Sequence, residues 1–286
     1  MSVAIIQERL SRYGCTSTTE EDRAIREITQ EVVLAALGRT DFFRHAAFQG
    51  GTSLRILHGL ARFSEDLDFA LHSPDASFRF EGYAPIIRRE MEAFGYRIEF
   101  VDRSRVDRAV RTAFLKDDSI GDLLQMEYRP NTGPLRKIRI KLEVDTNPPA
   151  GAEIETRFLD YPFPQAVAAF TLPSLFAGKL HALLCRPYLK GRDWYDFIWY
   201  TARRIPVNER LLAAAMEQTG PWAGTSPRTD RSWCVSALEE KIRSIDWKQA
   251  RDDVRAFVRP ADLASLDVWC QEFFLAQAAK LPASPN

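Results

Sequence analysis

Gly50-Gly51-Thr52-Ser53-Leu54-Arg55-Ile56-Leu57-His58-Gly59 and, shortly after it, Asp66-Leu67-Asp68-Phe69-Ala70-Leu71 form the stretch on which the reading of this chain turns. A glycine pair followed by a short amphipathic run that ends at Gly59 reads as a helix. Asp66 to Leu71 alternates polar and apolar, the period of a half-buried strand. Asp66 and Asp68 therefore share one face, and Leu67 and Phe69 turn into the core. Two carboxylates on one face repel unless a cation lies between them, which suits a divalent metal ion. The glycine pair frees backbone N–H groups at a helix N-terminus, where phosphates bind well. A phosphate cradle beside metal carboxylates is the equipment for in-line phosphoryl or nucleotidyl transfer by two metals. Taken singly, a glycine pair is usually a turn and an Asp-x-Asp usually solvated surface. In this order, helix then strand, chemistry is the better reading.

Working outward, Glu20 to Leu37 reads as a helix, with Ile25, Ile28, Val32, Val33 and Leu37 at helical spacing and Thr19 as its N-cap. Pro85 to Phe94 is predicted helical, and Arg97–Val101, Arg111–Leu115 and Leu123–Tyr128 are predicted strands. Lys137 to Asp145 alternates without a break and is closed by Asn147-Pro148-Pro149, so every charge of that strand falls on one face. After Pro173 the period becomes helical, over Leu175–Arg186, Trp194–Arg203, Asn208–Gln218, Ser232–Ile245, Trp247–Phe257 and Ala261–Ala279. The expected class is α+β (α/β): a mixed-sheet domain with flanking helices over residues 1–172, then an all-helical domain over residues 173–286.

Among 286 residues, 39 Lys and Arg balance 39 Asp and Glu, which excludes a disordered tail protein and a chain held on nucleic acid by bulk charge alone. Cys15, Cys185, Cys234 and Cys270 form no CxxC pair, so reduced, mostly buried thiols are expected rather than a zinc or disulfide framework. The charged residues Glu8, Arg9 and Arg12 near the start, and the lack of any apolar run of bilayer length, point to a soluble, cytoplasmic protein without membrane contact.

The first block, with Arg62-Phe63-Ser64-Glu65-Asp66-Leu67-Asp68-Phe69, resembles the signature of the AbiEii/AbiGii (MenT-like) nucleotidyltransferase toxins, within the DNA polymerase β-like nucleotidyltransferase superfamily. Leu175-Phe176-Ala177-Gly178-Lys179-Leu180-His181-Ala182-Leu183 resembles that family's helix with an essential lysine. Gly191-Arg192-Asp193-Trp194-Tyr195-Asp196-Phe197 resembles its RDxxD motif. The resembling blocks cover residues 48–71, 137–145 and 175–200, in the family order.

The resemblance implies that Asp66 and Asp68 hold catalytic Mg2+ (or Mn2+) and that Gly50, Gly51 and Thr52, with Ser53 beside them, hold the phosphates of an NTP. Superfamily members commonly add a third carboxylate; Glu143 and Asp145 share the charged face of their strand, and periodicity does not choose between them. Lys141 lies on that face and is placed to meet phosphate, or is simply solvated. Lys179 sits on an otherwise apolar helix, so an acid or a phosphate should meet it. Asp193 and Asp196, three residues apart on a helix, face together; either orients Lys179 or acts as a base, and Asp193 is also placed to be an N-cap. Ser64 points to the metal face if the strand begins that early; there it would bind phosphate, and its phosphorylation would block the nucleotide. The four histidines lack a catalytic setting, and Trp194, Tyr195, Phe197, Trp199 and Tyr200 are placed to stack a base or, more commonly for such a stripe, to form core.

Basic residues cluster in Arg129–Lys141 and Lys179–Arg204, which suits a polyanionic acceptor contacted through its phosphates. The family resemblance implies a toxin of a toxin–antitoxin or abortive-infection system. It would move an NMP from an NTP to an RNA acceptor, the tRNA 3′ end first, and be held in check by an antitoxin encoded nearby. Transfer to a protein or small-molecule hydroxyl, and a catalytically silent RNA- or partner-binding module, are the rival expectations.

Overall fold

A computed structural model describes residues 2–103, 109–117 and 138–283. The predicted strand Leu123–Tyr128 and most of the basic stretch from Arg129 lie outside the described residues. The chain divides into two compact units. One comprises Met1–Leu57, Ser64–Pro148 and Thr156–Ala169; the other comprises His58–Phe63, Pro149–Glu155 and Phe170–Asn286.

In the first unit, α1 (Ser2–Ser11) and α2 (Thr18–Gly38) precede β1 (Ala46–Gln49), α3 (Gly50–His58) and β2 (Asp66–Leu71). The N-cap of α2 is Ser17 rather than Thr19. Ser17 has the extended backbone of a cap (φ −156°, ψ 158°), and its hydroxyl accepts from the Glu20 amide at 3.3 Å. Ile25, Ile28, Val32, Val33 and Leu37 of α2 are buried, as their spacing requires. Next come α4 (Ala84–Glu92), β3 (Ile98–Asp102), β4 (Val110–Asp117), β5 (Ile138–Asp145), β6 (Ile154–Leu159) and β7 (Gln165–Phe170).

The described strands form a mixed sheet in the order β3-β4-β5-β2-β1-β7-β6. β2 runs parallel to β5 and antiparallel to β1, and β1 runs parallel to β7. On β5, Ile140, Leu142 and Val144 are buried while the charged residues alternate outward. Periodicity does not reveal β1, β6 or β7. Ala46, Ala47 and Phe48 are all buried and so do not alternate; β6 alternates only between exposed and half-buried; β7 is rich in alanine, a weak strand former.

The second unit is built mainly from α5 (Leu172–Cys185), α6 (Gly191–Ala202), α7 (Glu209–Gln218), α8 (Arg231–Arg243), α9 (Trp247–Arg255) and α10 (Gln271–Ala278). The helix expected over Ala261–Ala279 is two elements, a 3-10 segment Pro260–Leu266 and α10. The aromatic stripe of α6 is core. Trp194, Phe197, Trp199 and Tyr200 are buried, Phe176 stacks on Tyr200 at 4.4 Å, and Trp194 meets Phe274 edge-on at 5.3 Å. Of the thiols, none in a disulfide, Cys234 is buried but Cys270 is exposed and Cys15 and Cys185 are half-buried, so the expected general burial does not hold. No described helix is long and apolar enough to cross a membrane.

Candidate active site

In the first unit, α3 begins at Gly50, directly after β1, so its first-turn N–H groups have no partner within the helix. Gly50 has φ +77°, and a Cβ there would stand 3.0 Å from the Asp68 Cβ and closer still to its carboxylate. Glycine is needed on both counts: the left-handed backbone and the close seating of the helix start against Asp68. A Gly50→Ala variant should therefore displace Asp68 and lose about 1–3 kcal/mol to backbone strain, together with NTP binding. Gly82, where a Cβ meets nothing within 4 Å, is the control. A Gly50→Ala protein that melts and binds NTP like Gly82→Ala would refute the close seating.

The Thr52 hydroxyl donates to the main-chain carbonyl of Asp66, which ties the start of α3 to the start of β2. That hydroxyl is therefore committed to the fold, and only the Thr52 amide remains for a phosphate. Ser53 is fully buried, and its Oγ has no hydrogen-bond partner among the described residues. Arg55 pairs with Glu27 of α2, anchoring α3 from its other side.

Asp66 and Asp68 occupy alternate positions of β2, both half-buried, with Leu67 and Phe69 in the core. The parallel register sets Asp66 beside Lys141 and Asp68 beside Glu143, whereas Asp145 stands beside Ala70. Glu143 and Asp145, equivalent by period, are thus separated by register. The Asp145 carboxylate accepts from the Asn147 amide at 2.9 Å, and burial raises its pKa. Lys141 Nζ lies 2.7 Å from Glu143 Oε1. Burial opposes the charge on Lys141, but its bond and attraction to Glu143, with further attraction to Asp66 and Asp68, leave its pKa raised. Lys141 thus brings positive charge to the carboxylate face. Among the described residues no group of three His, Cys, Asp or Glu side chains is arranged to hold a metal ion. Asp66 and Asp68 are two carboxylates on one strand face, the chemistry a divalent ion requires, and the buried Ser53 hydroxyl in the first turn of α3 is a polar atom without a partner among the described residues.

Ser64 precedes β2, which starts at Asp66, so the strand period does not extend to it. The Ser64 carbonyl accepts from Gln30 Nε2 at 3.2 Å.

The second unit holds a separate charge cluster. Lys179 Nζ lies 2.6 Å from Asp193 Oδ1 and 2.8 Å from Asp196 Oδ2. Arg62 grips Asp196 with both prongs of its guanidinium, Nε to Oδ1 and Nη2 to Oδ2, each at 2.6 Å. Arg186 pairs with Asp193. Asp196 is fully buried and Arg62 is 3% exposed. Three cations thus surround two carboxylates, leaving one excess positive charge. Burial works against the Lys179 charge, yet Asp193 and then Asp196 hold its pKa raised, with Arg62 opposing. Burial likewise opposes ionisation of Asp193, but Lys179 and then Arg186 bring its pKa down to about 2. Asp193 is not an N-cap: α6 starts at Gly191 with Lys190 as its cap residue, and the Asp193 carboxylate is taken by Lys179 and Arg186.

A carboxylate with a depressed folded-state pKa stabilises above its unfolded value and loses that contribution as pH falls through the folded value. Stability should therefore drop between pH ~4 and about 2, the folded value of Asp193. Thermal melts over that range should show a shallower drop for Asp193→Asn; an equally steep drop would sink this account.

Among comparisons with known proteins, the chain matches the family described as "Nucleotidyl transferase AbiEii toxin, Type IV TA system" over residues 32–272, most of its length. It is a member of the AbiEii nucleotidyltransferase toxin family. MenT4, a nucleotidyltransferase toxin from Mycobacterium tuberculosis H37Rv, shares the fold at a TM-score of 0.53 and 19% identity, over 99% of this chain and 91% of that one. JHP933 from Helicobacter pylori matches at a TM-score of 0.45 and 17% identity, over 89% of this chain and 85% of that one. No curated protein matches the sequence. In this AbiEii member, Arg62 and Arg186 are the cluster residues that pattern reading left without a role. Arg62 stands in the motif block, but only the three-dimensional pairing with Asp196 discloses what it does.

Proposed function

We propose that this AbiEii toxin transfers an NMP from an NTP to an RNA acceptor, the tRNA 3′ end in the first instance, and releases pyrophosphate. The observation that carries this reading is the start of α3 seated against Asp68 on the same face as Asp66, phosphate donors directly beside metal carboxylates. Asp66 and Asp68 would hold Mg2+ or Mn2+, with Glu143 the third carboxylate that the register favours over Asp145. When bound, the metal supplies positive charge to the phosphate oxygens and templates in-line displacement. The amides of Gly50, Gly51 and Thr52 and the buried Ser53 hydroxyl hold the β- and γ-phosphates. Lys141 adds charge at the edge of that face. Lys179 neutralises phosphate charge; Asp193 orients it from one side and Asp196 from the other. Ser64 keeps no assigned role. The toxin would act in the cytoplasm, where NTP and tRNA are, opposed by an antitoxin.

The test is incubation of the purified chain with Mg2+, total RNA and each α-labelled NTP in turn. A labelled RNA band is expected. Label in protein or in a small soluble product would move the acceptor to a rival class, and no label with any NTP would overturn the transferase reading.

A further inference from the structure

Within the helical unit, a cavity of about 260 Å3 opens between the end of α5, the start of α6 and the turn joining α8 to α9. Its wall carries Arg186, Lys190 and Lys241 together with Asp193, Trp194 and Tyr188. The acids there are already engaged. Asp193 is held by Lys179 and Arg186, and Asp246 caps α9 by accepting from the Gln249 amide at 3.0 Å. Lys241 Nζ donates to the Arg186 carbonyl at 3.3 Å, and neither Lys190 nor Lys241 has a carboxylate partner among the described residues. Burial lowers the Lys190 pKa; Asp193 opposes that, and the neighbouring cations Arg192, Arg186 and Lys179 add to it. Lys190 and Lys241, held in a half-enclosed site beside the Arg186–Asp193 pair, thus leave positive charge over for an anion. Beside them, Tyr188 is 65% exposed, and the Arg186 guanidinium lies 5.2 Å from its ring centroid. A large aromatic ring left in water beside clustered cations matches how single-stranded nucleic acid is held, base on ring and phosphate on cation.

We propose that this cavity binds a nucleotide of the single-stranded RNA acceptor, its phosphate among Arg186, Lys190 and Lys241 and its base on Tyr188. The volume lies just below the range of small-molecule sites, which suits one nucleotide rather than a helical stem. The choice of RNA rests on the transferase reading; the charge and the exposed ring do not.

The experiment measures anisotropy of a short 5′-fluorescein single-stranded RNA on the full chain without NTP, with a fluorescent NTP titrated separately. Lys190→Ala/Lys241→Ala should weaken RNA binding at least about 10-fold at physiological salt and flatten the log–log salt slope by about 1.4, two contacts on a single strand. Tyr188→Ala should weaken it by about 5- to 150-fold, and Tyr188→Phe, which keeps the ring, should bind as the parent does. NTP binding should be unchanged in all three. RNA affinity unchanged in the lysine double variant overturns the proposal, as does equal loss of NTP and RNA binding, which would make the cavity part of the NTP site. Poly-L-glutamate bound as tightly as the RNA also overturns it, marking a surface for acidic proteins. If these variants lose RNA affinity while no NMP transfer to RNA is found, the cavity stands and the transferase reading falls. If transfer to RNA is found but the variants bind RNA normally, only the cavity assignment fails.

Discussion

Replacing Asp66 with asparagine or alanine is expected to lower nucleotidyl transfer by roughly 10³-fold or more, with the fold intact. Asp66 lies on the outward face of β2 beside Lys141, while the core at that point is made by Leu67. Its side chain is therefore no part of that core. In the proposed function it would supply charge for a divalent ion, and metal stabilisation of the developing charge is worth several kcal/mol, where each ~1.4 kcal/mol is tenfold in rate. Asp66→Asn keeps the shape and removes the charge, so it separates electrostatics from sterics. The check is single-turnover transfer of an α-labelled nucleotide at saturating Mg2+, with the far-UV spectrum as a control. An Asp66→Asn protein of full activity would remove the basis for placing the metal on β2.

Arg62→Ala is expected to act on stability. Asp196 is fully buried, and removing its two-pronged partner leaves it only Lys179, which it shares with Asp193. Breaking a buried ion pair from one side costs about 3–5 kcal/mol, because the remaining charge stays buried and under-compensated. At ~2–4 °C per kcal/mol for a chain of this size class, the melting temperature should fall by roughly 6–20 °C. Arg62→Lys keeps the charge but not the fork and should lie in between. In the Arg62→Ala background, Asp196→Asn should recover part of the loss, since it removes the stranded charge. Unchanged melting in Arg62→Ala would show that the pair contributes nothing net.

Elements whose side chains alternate between water and core are legible in the sequence. β2 and β5 are examples: their charged residues all fall on one face because the other face must be dry. Strands buried on both faces, such as β1, and the alanine-rich β7 give no such contrast, so nothing in their sequence separates them from a loop or helix. The Ser17 cap was misplaced by two residues for a related reason. Ser17, Thr18 and Thr19 all carry a cap-competent hydroxyl, and only the backbone angles decide which one takes the position.

By itself the sequence determined the glycine-led helix start, the two aspartates on one face of a strand and the helical second half. All of these are local in the chain, set by the periods of helix and strand and by glycine's freedom of backbone. The AbiEii family was legible too, but through the likeness of whole motif blocks and not through any period. Tertiary structure alone set Glu143 beside Asp68 and Asp145 beside Ala70, because strand register is a relation between segments far apart in sequence. It likewise disclosed that Asp193 binds Lys179 instead of capping its helix, and that Arg62 reaches Asp196 across 134 positions. A charge declares its partner only when the fold takes both from water, and the chain order does not record which charges meet there.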